Sequence, residues 1–180
     1  MAKSTEPIPV AVSACLLGRR VRYDGKDKRQ PGLAAWLEAN GLVAVAVCPE
    51  VEAGLAVPRP PVELVVAAGE IRALGVRDRR LDVTAVLQAQ AQVWLASHPH
   101  VAGMICKSRS PSCGLEVPLH THGGEAAGSH PGLFVQALQQ ARPGLPLLEE
   151  TELADAGARR RFVSRVRRAS ASGKSRPPGR

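Results

Sequence analysis

Val101–Gly114, V-A-G-M-I-C-K-S-R-S-P-S-C-G, runs from an apolar segment of strand character into a turn rich in Ser, Pro and Gly. Such a passage puts Cys113 just beyond the end of a buried strand, at the edge where open α/β sheets collect their chemistry. Two more cysteines stand in the same relation to an aliphatic run: Cys15 follows V-A-V-S-A, and Cys48 follows V-A-V-A-V and precedes Pro49-Glu50. Three strand-end thiols imply one site.

The rest of the chain reads outward from those strands. Val10–Leu17 is the first strand, and the polar G-R-R-V-R-Y-D-G-K-D after it is a loop over the sheet end. In Gly32–Asn40 the apolar Leu33, Trp36 and Leu37 fall at i, i+3 and i+4, the face of a helix packed on a sheet. Leu42–Val47 is the second buried strand. Gly and Pro break Val51–Pro61 too often for helix or central strand. A short hairpin follows, Val62–Ala67 and Glu70–Leu74 about Ala68-Gly69. Leu81–Ser97 is the longest helix, capped by Asp82 or Thr84. Gly123–Pro131 reads as loop, Gly132–Ala141 as helix, and Leu145–Leu148 as a last strand ending at Glu149-Glu150. Glu152–Val166 makes a closing helix that can stop as early as Arg161. With 44% hydrophobic residues but only 3% aromatic ones, the core is Val, Leu and Ala, which suits helices on a doubly covered parallel sheet. The expectation is an α/β, Rossmann-like, three-layer single domain with a mostly parallel sheet and a short hairpin. It occupies 1–156, followed by a basic tail at 157–180 of partly disordered composition.

The net charge of +8 belongs to that tail: nine Lys and Arg and no acid follow Gly157. Nucleic acid is therefore a partner only through the tail, and the rest of the chain is near neutral. Val12-Ser13-Ala14-Cys15 superficially resembles a lipoprotein cleavage box, but Lys3–Pro9 lacks the apolar run such a signal needs. No membrane span is expected, and cytoplasm is the default compartment. There four cysteines point to metal, catalysis or buried thiols ahead of disulfides.

A single cysteine is often only a small buried hydrophobe. Three at separate strand ends fit that reading poorly, and paired C-x-x-C zinc spacing is absent. Soft thiolates select zinc, copper(I) or iron–sulfur clusters. A site with three good candidates suggests a four-iron cubane with one iron open. Cys106 lies seven residues before Cys113, inside the sheet, and is read as core. His120-Thr121-His122, with His98, His100 and His130, is read as loop spacers and not as a zinc site. Glu50, two residues beyond Cys48, can face the crevice as a proton acceptor for water; its competing role is a salt bridge to Arg59. Ser110 and Ser112 can donate hydrogen bonds to cluster or substrate, or cap the turn. Lys107, Arg109, Arg22 and Asp24 are candidate substrate contacts, with Arg59, Asp82 and the rim residue Glu149 behind them.

S-A-C-L-L-G with R-Y-D-G, C-P-E-V with G-L-x-x-P-R-x-P, D-V-T, and K-S-R-S-P-S-C-G resemble, in that order and from Val10 to about Glu150, a bacterial family whose characterised relatives are thiouracil desulfidases. The resemblance implies that Cys15, Cys48 and Cys113 hold a [4Fe-4S] cluster with one iron free of protein ligands. It implies a small thiolated substrate whose sulfur meets that iron and is released as sulfide without net redox. A cluster-dependent dehydratase and a non-catalytic iron–sulfur or zinc module are the alternatives. Oligomeric state leaves no mark in the sequence.

Overall fold

In the computed structural model, which describes residues 6–173, the aliphatic runs before the cysteines become neighbouring strands. β1 (Ile8–Ser13) pairs in parallel with β2 (Leu42–Val47), Ser13 level with Val47. On its other side β1 pairs with β5 (Met104–Cys106), which in turn pairs with β8 (Leu147–Glu149), both in parallel. The order β2-β1-β5-β8 is that of a doubly wound sheet, with every carboxyl end on one edge.

Pleating divides the core as the period of two requires. Val10, Val12, Ile105 and Leu148 face α1 (Leu33–Ala39) and α5 (Ala156–Gly173), meeting Leu33, Leu37, Phe162 and Val166. Ala11, Met104 and Cys106 face the opposite layer. There α3 (Thr84–Ser97) and α4 (Leu133–Ala141) supply Ala91, Trp94, Phe134 and Leu138. Trp94 packs edge-on to Phe134, centroids 5.3 Å apart, and stacks on His98 at 4.4 Å. The three-layer expectation stands.

Four local readings are corrected. The first strand stops at Ser13, and Ala14–Leu17 forms a 3-10 turn. The helix expected from Leu81 to be the longest starts at Thr84 and, at 14 residues, is shorter than the 18-residue α5: Asp82 bridges to Leu74 as an extended residue, and its Oδ1 accepts the Thr84 amide at 2.9 Å. The hairpin β3 (Val62–Ala67) and β4 (Glu70–Gly75) does not stand alone. It joins β6 (Val117–Thr121) and β7 (Ala126–His130) in a second sheet, β4-β3-β6-β7, where a loop was expected. β7 was missed because A-A-G-S-H carries no apolar alternation; four of its five residues are exposed and backbone pairing alone defines it. Finally, α5 crosses the expected break after residue 156, and its apolar stripe Ala158, Phe162, Val163 and Val166 is buried in the first core. Its arginines occupy the other face of a packed helix. The tail's last charges, Lys174, Arg176 and Arg180, lie outside the described residues. Among those residues, no helix is long and apolar enough to cross a membrane.

Candidate functional site

Each strand end delivers its thiol by a different local device. The 3-10 turn after β1 is closed by Gly18 at φ 90°, a left-handed conformation that favours Gly. Cys15 sits inside this turn, its carbonyl accepting the amides of Gly18 at 3.2 Å and Lys28 at 3.0 Å. Cys48 is the N-cap of a single helical turn, α2 (Pro49–Glu52), with Pro49 at the first position where its missing N–H costs nothing. Glu52 Oε1 accepts the Cys48 amide at 3.1 Å. Cys113 lies in the loop after β5, and the start of α4 holds that loop. Leu133 N donates to the Pro111 carbonyl at 3.0 Å and Phe134 N to that of Ser112 at 3.1 Å, so first-turn amides without helical partners grip the loop backbone. A Cβ on Gly132 would lie 2.5 Å from the Ser112 carbonyl and 2.8 Å from Cys113 N; one on Gly114 would lie 2.9 Å from Arg109 N. Arg109 itself is left-handed, at φ 56°, a strained position of the kind that collects at functional loops.

The three thiols line one cavity of about 490 Å³, together with Ser13, Glu50, Arg59 and the 107–113 loop. That volume suits a small ligand. Burial pushes the Cys15 thiol up to about 11, and the neighbouring Cys48 adds to the rise, while Arg22 and Lys107 oppose it. Burial raises Cys48, with Glu50 contributing. Cys113 is raised well above the usual thiol range by burial, then by Cys106, Cys48 and Cys15; a hydrogen bond with Ser13 works the other way. The thiols therefore feel one another across the cavity. Among the described residues, however, no three His, Cys, Asp or Glu side chains converge as a site for one metal ion. All four cysteines are free, and the donor set suits iron–sulfur chemistry.

Two ion pairs flank the thiols. Arg59 Nε donates to Glu50 Oε2 at 2.7 Å, both side chains about nine-tenths buried. Ser112, wholly buried, donates from Oγ to Glu50 Oε1 at 2.9 Å. The salt bridge foreseen as a competitor for Glu50 is thus present, and it lies in the cavity wall. Arg59 is fixed further by the carbonyls of Val21 at 3.0 Å and Ala56 at 3.2 Å. On the other flank Lys107 Nζ donates to Glu150 Oε1, and the Ser108 amide to Glu150 Oε2 at 2.6 Å. Although burial opposes ionisation, the hydrogen bonds from Lys107 and Ser108 hold Glu150 below the usual carboxylate range.

The expected residues divide accordingly. Glu50, Ser110, Ser112, Lys107, Arg109, Arg22 and Arg59 line the cavity with the three cysteines. The Ser110 Oγ accepts the amides of Cys113 at 3.1 Å and Ser112 at 3.3 Å, so it shapes the loop. Asp24 does not line the cavity; its Oδ1 accepts from Arg22 Nε at 3.3 Å and from the Lys26 amide. Asp82 pairs with Arg72 away from the cavity lining. Glu149, expected at the rim, turns to the Leu115 amide at 2.8 Å, and the next residue, Glu150, reaches the site loop instead. Cys106 is wholly buried and belongs to the core cluster that includes Cys113. Two contributors escaped the sequence reading. Ser13 Oγ accepts the Lys107 amide at 3.0 Å, joining the ends of β1 and β5, and Glu63 enters the wall from the second sheet. Ser13 carried a signal in S-A-C; Glu63 had none, because the hairpin's position over the sheet end is a tertiary fact.

The chain matches the model of the 2-thiouracil desulfurase family over residues 10–150. It is 30% identical over 154 residues to an uncharacterised protein, YbbK, of Bacillus subtilis (strain 168), the match spanning 81% of this chain and 98% of that one. Its fold is similar to a solved structure described as the [4Fe-4S]-dependent thiouracil desulfidase TudS, with a TM-score of 0.66 and 32% identity over 88% of this chain and 99% of the other. Since the matched residues include β1 from Val10 onward, β2, the thiol-bearing loop and the carboxylate wall, this chain belongs to the 2-thiouracil desulfurase family.

Proposed function

We propose that this protein is a cytoplasmic, cluster-dependent and non-redox desulfidase that hydrolyses the C–S bond of a small thiolated heterocycle of the thiouracil kind. The balance is simple: thiocarbonyl and water give carbonyl and hydrogen sulfide. Cys15, Cys48 and Cys113 would hold three irons of a [4Fe-4S] cluster and leave the fourth without a protein ligand. When bound, the cluster supplies a soft Lewis acid that polarises the C–S bond and takes up sulfur, which water solvates poorly. Glu50 accepts the proton of the attacking water and returns it to the departing sulfur. Arg59 and Ser112 each occupy one Glu50 oxygen and so fix the carboxylate plane, while the remaining lone pairs stay open to water. Arg22, Lys107 and Arg109 offset negative charge at the cavity.

The observation that carries this reading is the presence of three thiols from three strand ends and one doubly held carboxylate in a single cavity. The test is anaerobic reconstitution, a count of iron and sulfide, and then thiouracil supplied without any reductant. Uracil and sulfide in equal amounts are expected. Fully loaded protein that releases neither would sink the desulfidase reading and leave a dehydratase or a cluster carrier. Zinc bound in preference to iron would sink the cluster itself.

A further inference from the structure

The helices on the two faces of the parallel sheet differ sharply in charge. α3 and α4 contain no Asp, Glu, Lys or Arg, whereas α5 carries six arginines and no acid; α1, in the same layer as α5, adds a single acid, Glu38. The buried stripe of α5 turns its cations outward, leaving Arg160, Arg161, Arg165, Arg167 and Arg168 exposed. Arg161, Arg165 and Arg168 fall in a row on one side of the helix, with steps of about 6 and 4.5 Å along its axis. Little in the protein answers this charge. Arg161 reaches Asp155 at 3.6 Å, both side chains more than half exposed, a pair of small worth. Arg167 Nη2 donates to the Asn40 carbonyl at 3.0 Å, and the guanidinium groups of Arg160, Arg165 and Arg168 have no partner among the described residues. Like charges three and four residues apart destabilise a helix, and an anion laid along the row removes that cost.

The chemistry of α5 selects among polyanions. An anionic membrane is held by apolar side chains inserted beside the charges, but Phe162, Val163 and Val166 are already in the core. A single nucleic-acid strand is held by aromatic stacking, and Phe162, the one aromatic residue of the helix, is buried. The major groove of B-DNA, about 8.5 Å deep, admits a helix that projects from its protein, whereas α5 has one side sunk against the sheet. A-form RNA presents a wide, shallow minor groove between its phosphate rows, which a flat row of guanidinium groups spans without entering it. We propose that the exposed face of α5 is a docking surface for double-stranded RNA, bound through its phosphates without regard to base sequence. No residue of α5 lines the cavity, so docking and the turnover of a free base are independent, and the surface stands apart from the desulfidase reading.

The test titrates the full-length, cluster-loaded chain into a fluorescent RNA stem of unmodified sequence and follows anisotropy between about 50 and 200 mM salt. Affinity should fall with a log–log slope of about −4, as for four or five phosphate contacts. Replacing Arg160, Arg165 and Arg168 together by Gln should weaken binding by roughly tenfold or more at the lower salt and make the slope shallower by about one per arginine. Because these side chains are exposed, thermal unfolding of that variant should not be lowered. Deleting residues 174–180 should keep the larger part of the affinity. A DNA duplex of the same sequence, the single RNA strand and phosphatidylserine vesicles should each bind roughly tenfold more weakly, or not at all. Absence of RNA binding at the lower salt overturns the proposal. So does binding that survives the three arginine replacements and disappears on deleting 174–180, which moves the contact to the terminus. Equal affinity for DNA, for the single strand or for vesicles overturns it too, by naming a different occupant.

Discussion

Glu50 is held at one oxygen by Arg59 and at the other by Ser112, and these contacts allow two roles to be separated by experiment. A buried pair broken on one side leaves an uncompensated charge, so Arg59→Ala should cost stability of the order of 3–5 kcal/mol. Glu50→Gln is milder, because the amide keeps the size and an oxygen for one donor. If Glu50 activates water, Glu50→Gln protein should keep its cluster and fall in turnover by roughly 10² to 10⁴. The measurement is sulfide release normalised to bound iron. Near-normal release at full iron content would reduce Glu50 to a structural partner of Arg59 and shift the search to Glu150, whose carboxylate is tied to the site loop.

At the level of elements, the strands of the parallel sheet were legible because each is a continuous aliphatic run, the pattern that burial on both faces demands. Their ends were legible too, since Cys15, Cys48 and Cys113 all follow such runs. The second sheet was not, because β7 has no side-chain signature and β6, V-P-L-H-T, carries a proline and a histidine among its apolar residues. The extent of α5 was misjudged for a related reason: six arginines interleave its apolar residues, and only the spacing of Phe162, Val163 and Val166 reveals the buried stripe. Phe162→Ala should therefore destabilise the fold by about 3–5 kcal/mol, seen as a lowered midpoint in urea. Deleting residues 174–180 should leave both midpoint and turnover unchanged, and lost turnover in the truncated protein would place the terminus in the active site. The start of α4 offers a sharper probe of the loop it grips. Gly132→Ala puts a methyl 2.5 Å from the Ser112 carbonyl, closer than backbone atoms tolerate, so the Cys113 loop must move. Iron retention should drop while the helix content measured by circular dichroism stays near wild type.

For the whole molecule, the cavity is the place where separate layers meet. β1 and β2 bring Cys15 and Cys48, the loop pinned by α4 brings Cys113, and the second sheet closes the wall with Glu63. A cluster bound to three such thiols would tie these parts together. Because an unfolded chain cannot present them in register, its binding free energy becomes folding free energy. Loaded protein should thus unfold at a clearly higher temperature than protein stripped by an iron chelator. Single replacements Cys15→Ala, Cys48→Ala and Cys113→Ala should each hold less than a full cluster and unfold like the stripped protein, with chelator making no further difference. Cys106→Ala should behave otherwise. Its thiol is wholly buried in the core beside Cys113, so removing it costs packing in loaded and stripped forms alike, and the gap between the two should survive. A series in which Cys106 proves indispensable for iron while Cys15 or Cys48 does not would move the cluster off the strand ends and into the sheet.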